Sequence, residues 1–158
     1  MKFDFRKQTV IVTGGTRGIG RGIAEAFLET GAKVVATYQS NEKAAEEFTE
    51  SNKKHAECLD LHRFDVTQYS ETENFYREIE QTHGEFQVLV HCSGIRVDSI
   101  VGMMPEEDWR KVIDTNLTGT FNMCKLAVQG MMRKRYGRII VITSPIGRFG
   151  FAGQSNYA

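Results

Sequence analysis

Short runs of mostly β-branched apolar residues recur at positions 10–12, 34–36, 88–90 and 139–142, alternating with longer segments whose polar and apolar positions suit helices. Continuous apolarity of this length fits strands covered on both faces, as in a parallel sheet, rather than the in-and-out alternation of a half-solvated one. The rhythm is that of successive βαβ units. A weaker fifth strand is expected between residues 56 and 65. Helices are expected over 18–30, 42–52, 70–83, 105–114 or beyond, and from about 116 to 133. Crossovers between parallel strands are right-handed, which leaves few topologies open. The expected fold is therefore α/β: three layers around a doubly wound parallel sheet in the order 3-2-1-4-5.

The turn chemistry agrees with these boundaries. Ser40 or Asn41 can cap the second helix, Gly31 can end the first, and Gly84 follows the third. Pro105 before Glu106, Glu107 and Asp108 puts a helix-starting imide and three negative charges at the positive end of a helix dipole. In the last helix Leu117, Phe121, Cys124, Val128 and Met131 form one apolar stripe, and Met123, Leu126 and Gly130 a second. One should meet the sheet and the other a partner, unless a complete monomer covers both. Arg133, Lys134 and Arg135 fall at the helix end, where cations complement the dipole, so a solvated cap is expected there rather than nucleic-acid contact. Trp109 and the Met103–Met104 and Met131–Met132 pairs are expected to pack apolar surface.

Composition narrows the function classes. Lys and Arg total 20 and Asp and Glu total 20, so no net field gathers nucleic acid or an anionic membrane, and neither is expected as a partner. The longest apolar runs, about four residues, fall far short of the ~20 needed to span a bilayer. Asp4, Arg6 and Lys7 precede the first apolar run, unlike a secretory leader. Cys58, Cys92 and Cys124 are odd in number and far apart, which suits neither a disulfide framework nor a zinc site. A cytoplasmic, metal-free protein is expected. No repeat, linker or composition shift divides residues 1–158, so one domain is expected.

The sharpest chemical signal is Thr13-Gly14-Gly15-Thr16-Arg17-Gly18-Ile19-Gly20, which follows the first strand and opens the first helix. Glycines permit the tight turn and a close approach of pyrophosphate to the backbone, while the helix start offers unpaired N–H groups and partial positive charge. The spacing is GxxxGxG rather than GxGxxG, and on this segment alone a plain glycine-rich turn is the alternative. No Gly-Lys-Ser/Thr completes a nucleoside-triphosphate loop. An acidic residue at the end of the second strand would grip a ribose 2′-hydroxyl and repel a 2′-phosphate. Residues 37–41 are instead neutral, with Gln39 and Ser40 as donors and Arg17 as a nearby charge. That favours NADP over NAD, the alternative being that these are only turn and capping residues.

Taken with Asp65-Val66, Asn116-Leu117-Thr118-Gly119 and the Ser144/Tyr157 pair, this Rossmann-like loop resembles the short-chain dehydrogenase/reductase family. VIDTNLTGTF, YGRIIVITS and GQSNYA are most similar to its 3-oxoacyl-(acyl-carrier-protein) reductase branch. The resemblance covers essentially the whole chain. It implies NADPH-dependent reduction of a 3-oxoacyl thioester, on acyl carrier protein or CoA, of the fatty-acid biosynthesis type. Another family member acting on a sugar, steroid or small ketone is the alternative. It implies catalytic roles for Asn116, Ser144 and Tyr157, and cofactor contacts from Gly14, Gly15, Thr16, Arg17, Gly18, Ile19, Gly20, Gln39, Ser40, Asp65, Val66, Cys92, Ser93, Gly94 and Tyr157. It also implies a homodimer or homotetramer. An unperturbed tyrosine is a poor acid near neutral pH, and the family supplies a lysine four residues after it, a position past Ala158. The sequence is accordingly expected to be the cofactor half of a longer reductase, inactive by itself; a stand-alone nucleotide-binding module is the other possibility. His91-Cys92-Ser93 departs from the family's usual Asn-Asn-Ala before Gly94, and structural roles are expected for His91 and Cys92.

Overall fold

The computed structural model describes residues 3–158. Five strands, β1 (Thr9–Thr13), β2 (Lys33–Tyr38), β3 (Leu59–Arg63), β4 (Val88–His91) and β5 (Arg138–Val141), form one sheet in the order β3-β2-β1-β4-β5. Every pairing is parallel, and Ile11 lies in register with Val35 on one side and Leu89 on the other. The expected strand order is the one observed. β3 was the faint strand because it is an edge: its sequence, Leu59-Asp60-Leu61-His62-Arg63, is only half-covered. β5 is the opposite edge. Its apolar run implied cover on both faces, yet Ile140 is 46% and Ile142 40% exposed, because α5, defined below, packs only on the Ile139 side.

Successive residues of β1 feed opposite layers, as the two-residue strand period requires. Val10 and Val12 join Ala24 and Leu28 of α1 (Gly18–Glu29) and Phe48 of α2 (Glu42–Ser51). Ile11 faces Phe75 and Ile79 of α3 (Tyr69–His83) and Met123 of α5 (Gly119–Lys134). The two shorter helices are α4 (Glu106–Ile113) and α6 (Ile146–Phe149), the latter absent from the sequence-based expectations. Fully burying each of Ile11, Val35 and Leu89 contributes about 1.5–3 kcal/mol. The helix caps also follow expectation: Asn41 Oδ1 accepts from Ala44 N at 3.0 Å, and Gly84, at φ +77°, ends α3.

α4 and α5 are not separate helices. A π-helical turn, Asp114–Thr118, joins them, a geometry that inserts a residue and turns a side chain out of phase. That residue set includes Asn116, whose Oδ1 accepts from Ile95 N at 2.8 Å and whose Nδ2 donates to Ile95 O at 2.9 Å.

Of the two expected apolar stripes on α5, the core takes the one through Met123 and Leu126 with Ala127, and it splits the other, drawing in Met131 and part of Cys124. Small residues decide this. A Cβ at Gly130 would lie 2.8 Å from the Phe86 ring, so only this side lets the helix close on its neighbours. Leu117, Phe121 and Val128 are left 65%, 58% and 42% exposed. Met103, Met132 and Trp109, expected to pack, are also exposed. The basic run does close α5: Arg135 adopts the left-handed cap conformation, while Arg133 and Lys134 pair with Glu80 and Glu85.

Candidate functional site

The chain turns from β1 into α1 through a loop in which each glycine answers a different constraint. Gly14 and Gly18 have φ of +61° and +55°, a region that disfavours side chains. Gly15 is buried against β2: its N–H donates to Thr37 O at 3.0 Å, and a Cβ there would lie 2.8 Å from Val12 O and 2.9 Å from Ala36 Cβ. At Gly20 a Cβ would come 2.2 Å from Gly14 O, so the first turn of α1 rests directly on the loop. Arg17 stands at the N-cap of α1 with no side-chain hydrogen bond to the helix. The first-turn N–H groups thus keep their partial positive charge for an external acceptor.

Those groups open into a cleft of about 840 Å³ along the carboxyl ends of β1, β2 and β4, at the switch in strand order. Its size is that of a cofactor site. Gly14, Thr16, Arg17, Gly18, Ile19 and Gly20 line it, as do Gln39, Ser40, Asp65, Val66, Cys92, Ser93 and Gly94. Gly15 is the member of the expected loop set that does not, because it is packed beneath. A partly anionic dinucleotide fits this arrangement: at Gly18 a side chain would stand in open space on the cleft wall, Ile19 offers an exposed apolar surface, and the uncapped start of α1 lines the cleft.

Thr13 fastens the floor. Its Oγ1 accepts from Cys92 N at 3.0 Å and Ser93 N at 3.1 Å, and lies 2.9 Å from His91 Nδ1. With both lone pairs engaged, the hydroxyl proton is directed to Nδ1, which must be the unprotonated nitrogen. His91 is 1% exposed, and burial lowers its pKa to about 4, so it is neutral with its proton on Nε2. Nε2 is itself buried without a partner. Burial pushes the Cys92 thiol up to about 11, which leaves it protonated and weakly nucleophilic. His91 and Cys92 therefore have structural environments. Among the described residues, no group of three or more His, Cys, Asp or Glu side chains is placed to hold a metal ion.

At the β2 side of the cleft, Gln39 Nε2 donates to Asp65 Oδ2 at 2.7 Å, and Asp65 Oδ1 accepts from Thr67 N at 2.9 Å. Both carboxylate oxygens are thereby engaged by neutral donors. The cleft wall also includes Glu42, Lys43, Ile95, Thr115 and Ile142, which sequence reasoning did not single out, and Asn41, which it named as a capping residue and as part of the neutral 37–41 stretch. Their common signal is position, just past the carboxyl end of a strand or at the π turn, and it becomes readable only with the strand order in hand.

Asn116, Ser144 and Tyr157 do not line this cleft, but their sequence neighbours Thr115 and Ile142 do. Ser144 Oγ accepts from Ile146 N at 3.3 Å, where α6 begins. Tyr157 is half-buried on a segment laced to the chain after β4. Asn156 Nδ2 donates to Val97 O at 3.0 Å, Gln154 Nε2 to Asp98 Oδ2 at 3.3 Å, and Ser99 N to Gly153 O at 2.8 Å. Among the described residues no hydrogen bond joins the three side chains to one another. The arrangement is a nucleotide-sized cleft, with Ser144 and Tyr157 on the segment that follows β5.

Comparison with known proteins agrees. The sequence matches the family described as short chain dehydrogenase over residues 8–158. It is 37% identical over 157 residues to a 3-oxoacyl-(acyl-carrier-protein) reductase of Escherichia coli, covering 98% of this chain and 62% of the relative. Identity to the reductase of the same name from Vibrio cholerae is 39% over 153 residues, covering 96% and 60%. For an acetoacetyl-CoA reductase of Paracoccus denitrificans it is 39% over 151 residues, again covering 96% and 60%. The chain thus spans about three fifths of the length of these relatives.

Proposed function

The chain belongs to the short chain dehydrogenase family, and from that membership we propose that the protein is an oxidoreductase that reduces a 3-oxoacyl thioester to the 3-hydroxyacyl thioester with NADPH. The acyl group rides on acyl carrier protein or CoA, in a step of the fatty-acid biosynthesis type, and the enzyme works in the cytoplasm as one domain. The observation that carries this reading is the uncapped start of α1 opening into the cleft, in a sequence 37–39% identical to relatives with 3-oxoacyl-(acyl-carrier-protein) and acetoacetyl-CoA reductase names.

Bound in the cleft, the reduced nicotinamide supplies a hydride. The residues of the chain provide the rest. Gly14, Thr16, Arg17, Gly18, Ile19 and Gly20 would seat the pyrophosphate over α1. Gln39 and Ser40 would hold the adenosine ribose, Asp65 and Val66 the adenine, with Cys92, Ser93 and Gly94 along the floor. Arg17 would meet a 2′-phosphate. As hydride reaches the substrate carbon, negative charge grows on its oxygen; Ser144 donates a hydrogen bond to that oxygen and Tyr157 gives it a proton. Tyr157 would also hold the nicotinamide ribose. Asn116 keeps the π turn and the chain after β4 in place.

The exposed stripe through Leu117, Phe121 and Val128 fits a second copy of the chain. Phe121→Glu is expected to lower the mass observed in sedimentation of the full-length protein. The function itself is tested by following NADPH absorbance with acetoacetyl thioesters against a panel of sugars, steroids and small ketones. Thioester turnover that falls at least ~100-fold in Tyr157→Phe supports the reading; no thioester turnover by the full-length enzyme overturns it.

A further inference from the structure

The β2 side of the cleft contains a carboxylate that sequence inspection of residues 37–41 passes over. Glu42, the first residue of α2, lines the cleft beside Lys43. A free carboxylate there would oppose any phosphate on the adenosine ribose, by the same electrostatics that lets an acidic residue select NAD. It is not free. Arg63, the last residue of β3, pairs through Nη1 with Glu42 Oε1 and donates from Nε to Gln39 O at 3.1 Å. The strand register makes this possible: Arg63 lies opposite Tyr38, so its side chain reaches across the end of β2 to the loop that follows. One guanidinium thereby cancels the charge of Glu42 and fixes the main chain of Gln39, while Arg63 itself stays off the cleft wall. Arg17 makes no ion pair among the described residues, and Lys43 has among them only a 3.9 Å contact with Glu47. With Glu42 paired, the cations lining this end of the cleft are Arg17 and Lys43, and the carboxylate left without an ion pair is that of Asp65, held by the neutral donors Gln39 Nε2 and Thr67 N.

We propose that Arg63 is a specificity-determining positioning residue: by holding and neutralising Glu42, it sets the preference for a 2′-phosphorylated nucleotide that Arg17 and Lys43 then engage. This rests on the NADPH reading above and adds the device that enforces it. The pair is exposed, and as a stability element it is worth little. Its effect lies in whether a dianionic phosphate meets a carboxylate or a cancelled charge. Across partly screened solvent that difference amounts to roughly five- to tenfold in affinity.

The test is fluorescence titration of the full-length protein with NADPH and NADH, without substrate, in wild type, Arg63→Gln, Glu42→Gln and the double variant. In Arg63→Gln, the ratio of NADPH to NADH affinity is expected to fall roughly five- to tenfold, and the loss should shrink as salt rises. The double variant should regain the wild-type ratio. If Arg63 instead contacted the phosphate itself, the double variant would stay as weak as Arg63→Gln, and the proposal would be overturned. An unchanged NADPH-to-NADH ratio in Arg63→Gln overturns it as well. Equal binding of the two nucleotides by the wild type would instead refute the NADPH reading, and the proposal with it.

Discussion

Replacing Thr13 with Val keeps the shape of a fully buried side chain and deletes one hydroxyl. That hydroxyl takes part in three interactions: it accepts from Cys92 N and Ser93 N and is paired with His91 Nδ1. A buried donor or acceptor left unpaired costs about 1–3 kcal/mol. Cys92 and Ser93 are only half-buried, and water from the cleft can satisfy part of what they lose, whereas His91 is 1% exposed and has no such recourse. The sum to expect is about 3 kcal/mol, a large share of the roughly 5–15 kcal/mol that holds a domain folded. For a domain of this size that lowers Tm by roughly 6–12 °C. Urea titration of wild type and Thr13→Val gives the difference directly, provided the slope with denaturant is unchanged. Because the same hydroxyl fixes the floor of the cleft, nucleotide affinity should fall as well. A loss below about 0.5 kcal/mol with unaltered slope would refute the tautomer argument and the role of Thr13 as the tie between β1 and the chain after β4.

Gly20→Ala places a methyl 2.2 Å from Gly14 O and 2.8 Å from Gly14 C, both backbone atoms; NADPH affinity measured by fluorescence should fall at least ~10-fold, and an unchanged affinity would show that the loop can shift off α1. His91 supplies a pH dependence. It is buried neutral with a pKa near 4, so the unfolded chain binds a proton that the folded one refuses as pH falls from about 6.5 to 4. Stability is complete above that window and declines within it by up to about 3 kcal/mol. His91→Asn, which can accept from Thr13 but does not titrate, should flatten the unfolding free energy between pH 7 and 4 by that amount, and identical profiles would exclude His91 as the source. Asn116→Ala removes both bonds to Ile95 and should cost about 1–3 kcal/mol, with faster amide exchange at Ile95 as the specific sign.

The one-dimensional pattern was enough for the architecture because its signals are local. Val10–Val12 and Val88–Val90 read as covered strands since both of their faces are covered, and Asn41, Gly31 and Gly84 mark helix ends through their own backbone preferences. The glycine loop was legible for the same reason: its positive φ angles and the approach of Gly20 to Gly14 lie within a few residues, whereas the fit of Gly15 against Ala36 belongs to the fold. Other features are decided by which surfaces meet, and that depends on residues distant in sequence. Both apolar stripes of α5 looked equally fit for the sheet until Gly130 met Phe86. The π turn follows from Asn116 reaching Ile95. The charge at the nucleotide end of the cleft depends on β3 lying beside β2 in the register that sets Arg63 against Tyr38 and within reach of Glu42. A residue's own chemistry is written in the chain, but whether its charge is free, paired or buried is settled only when the fold chooses its neighbours.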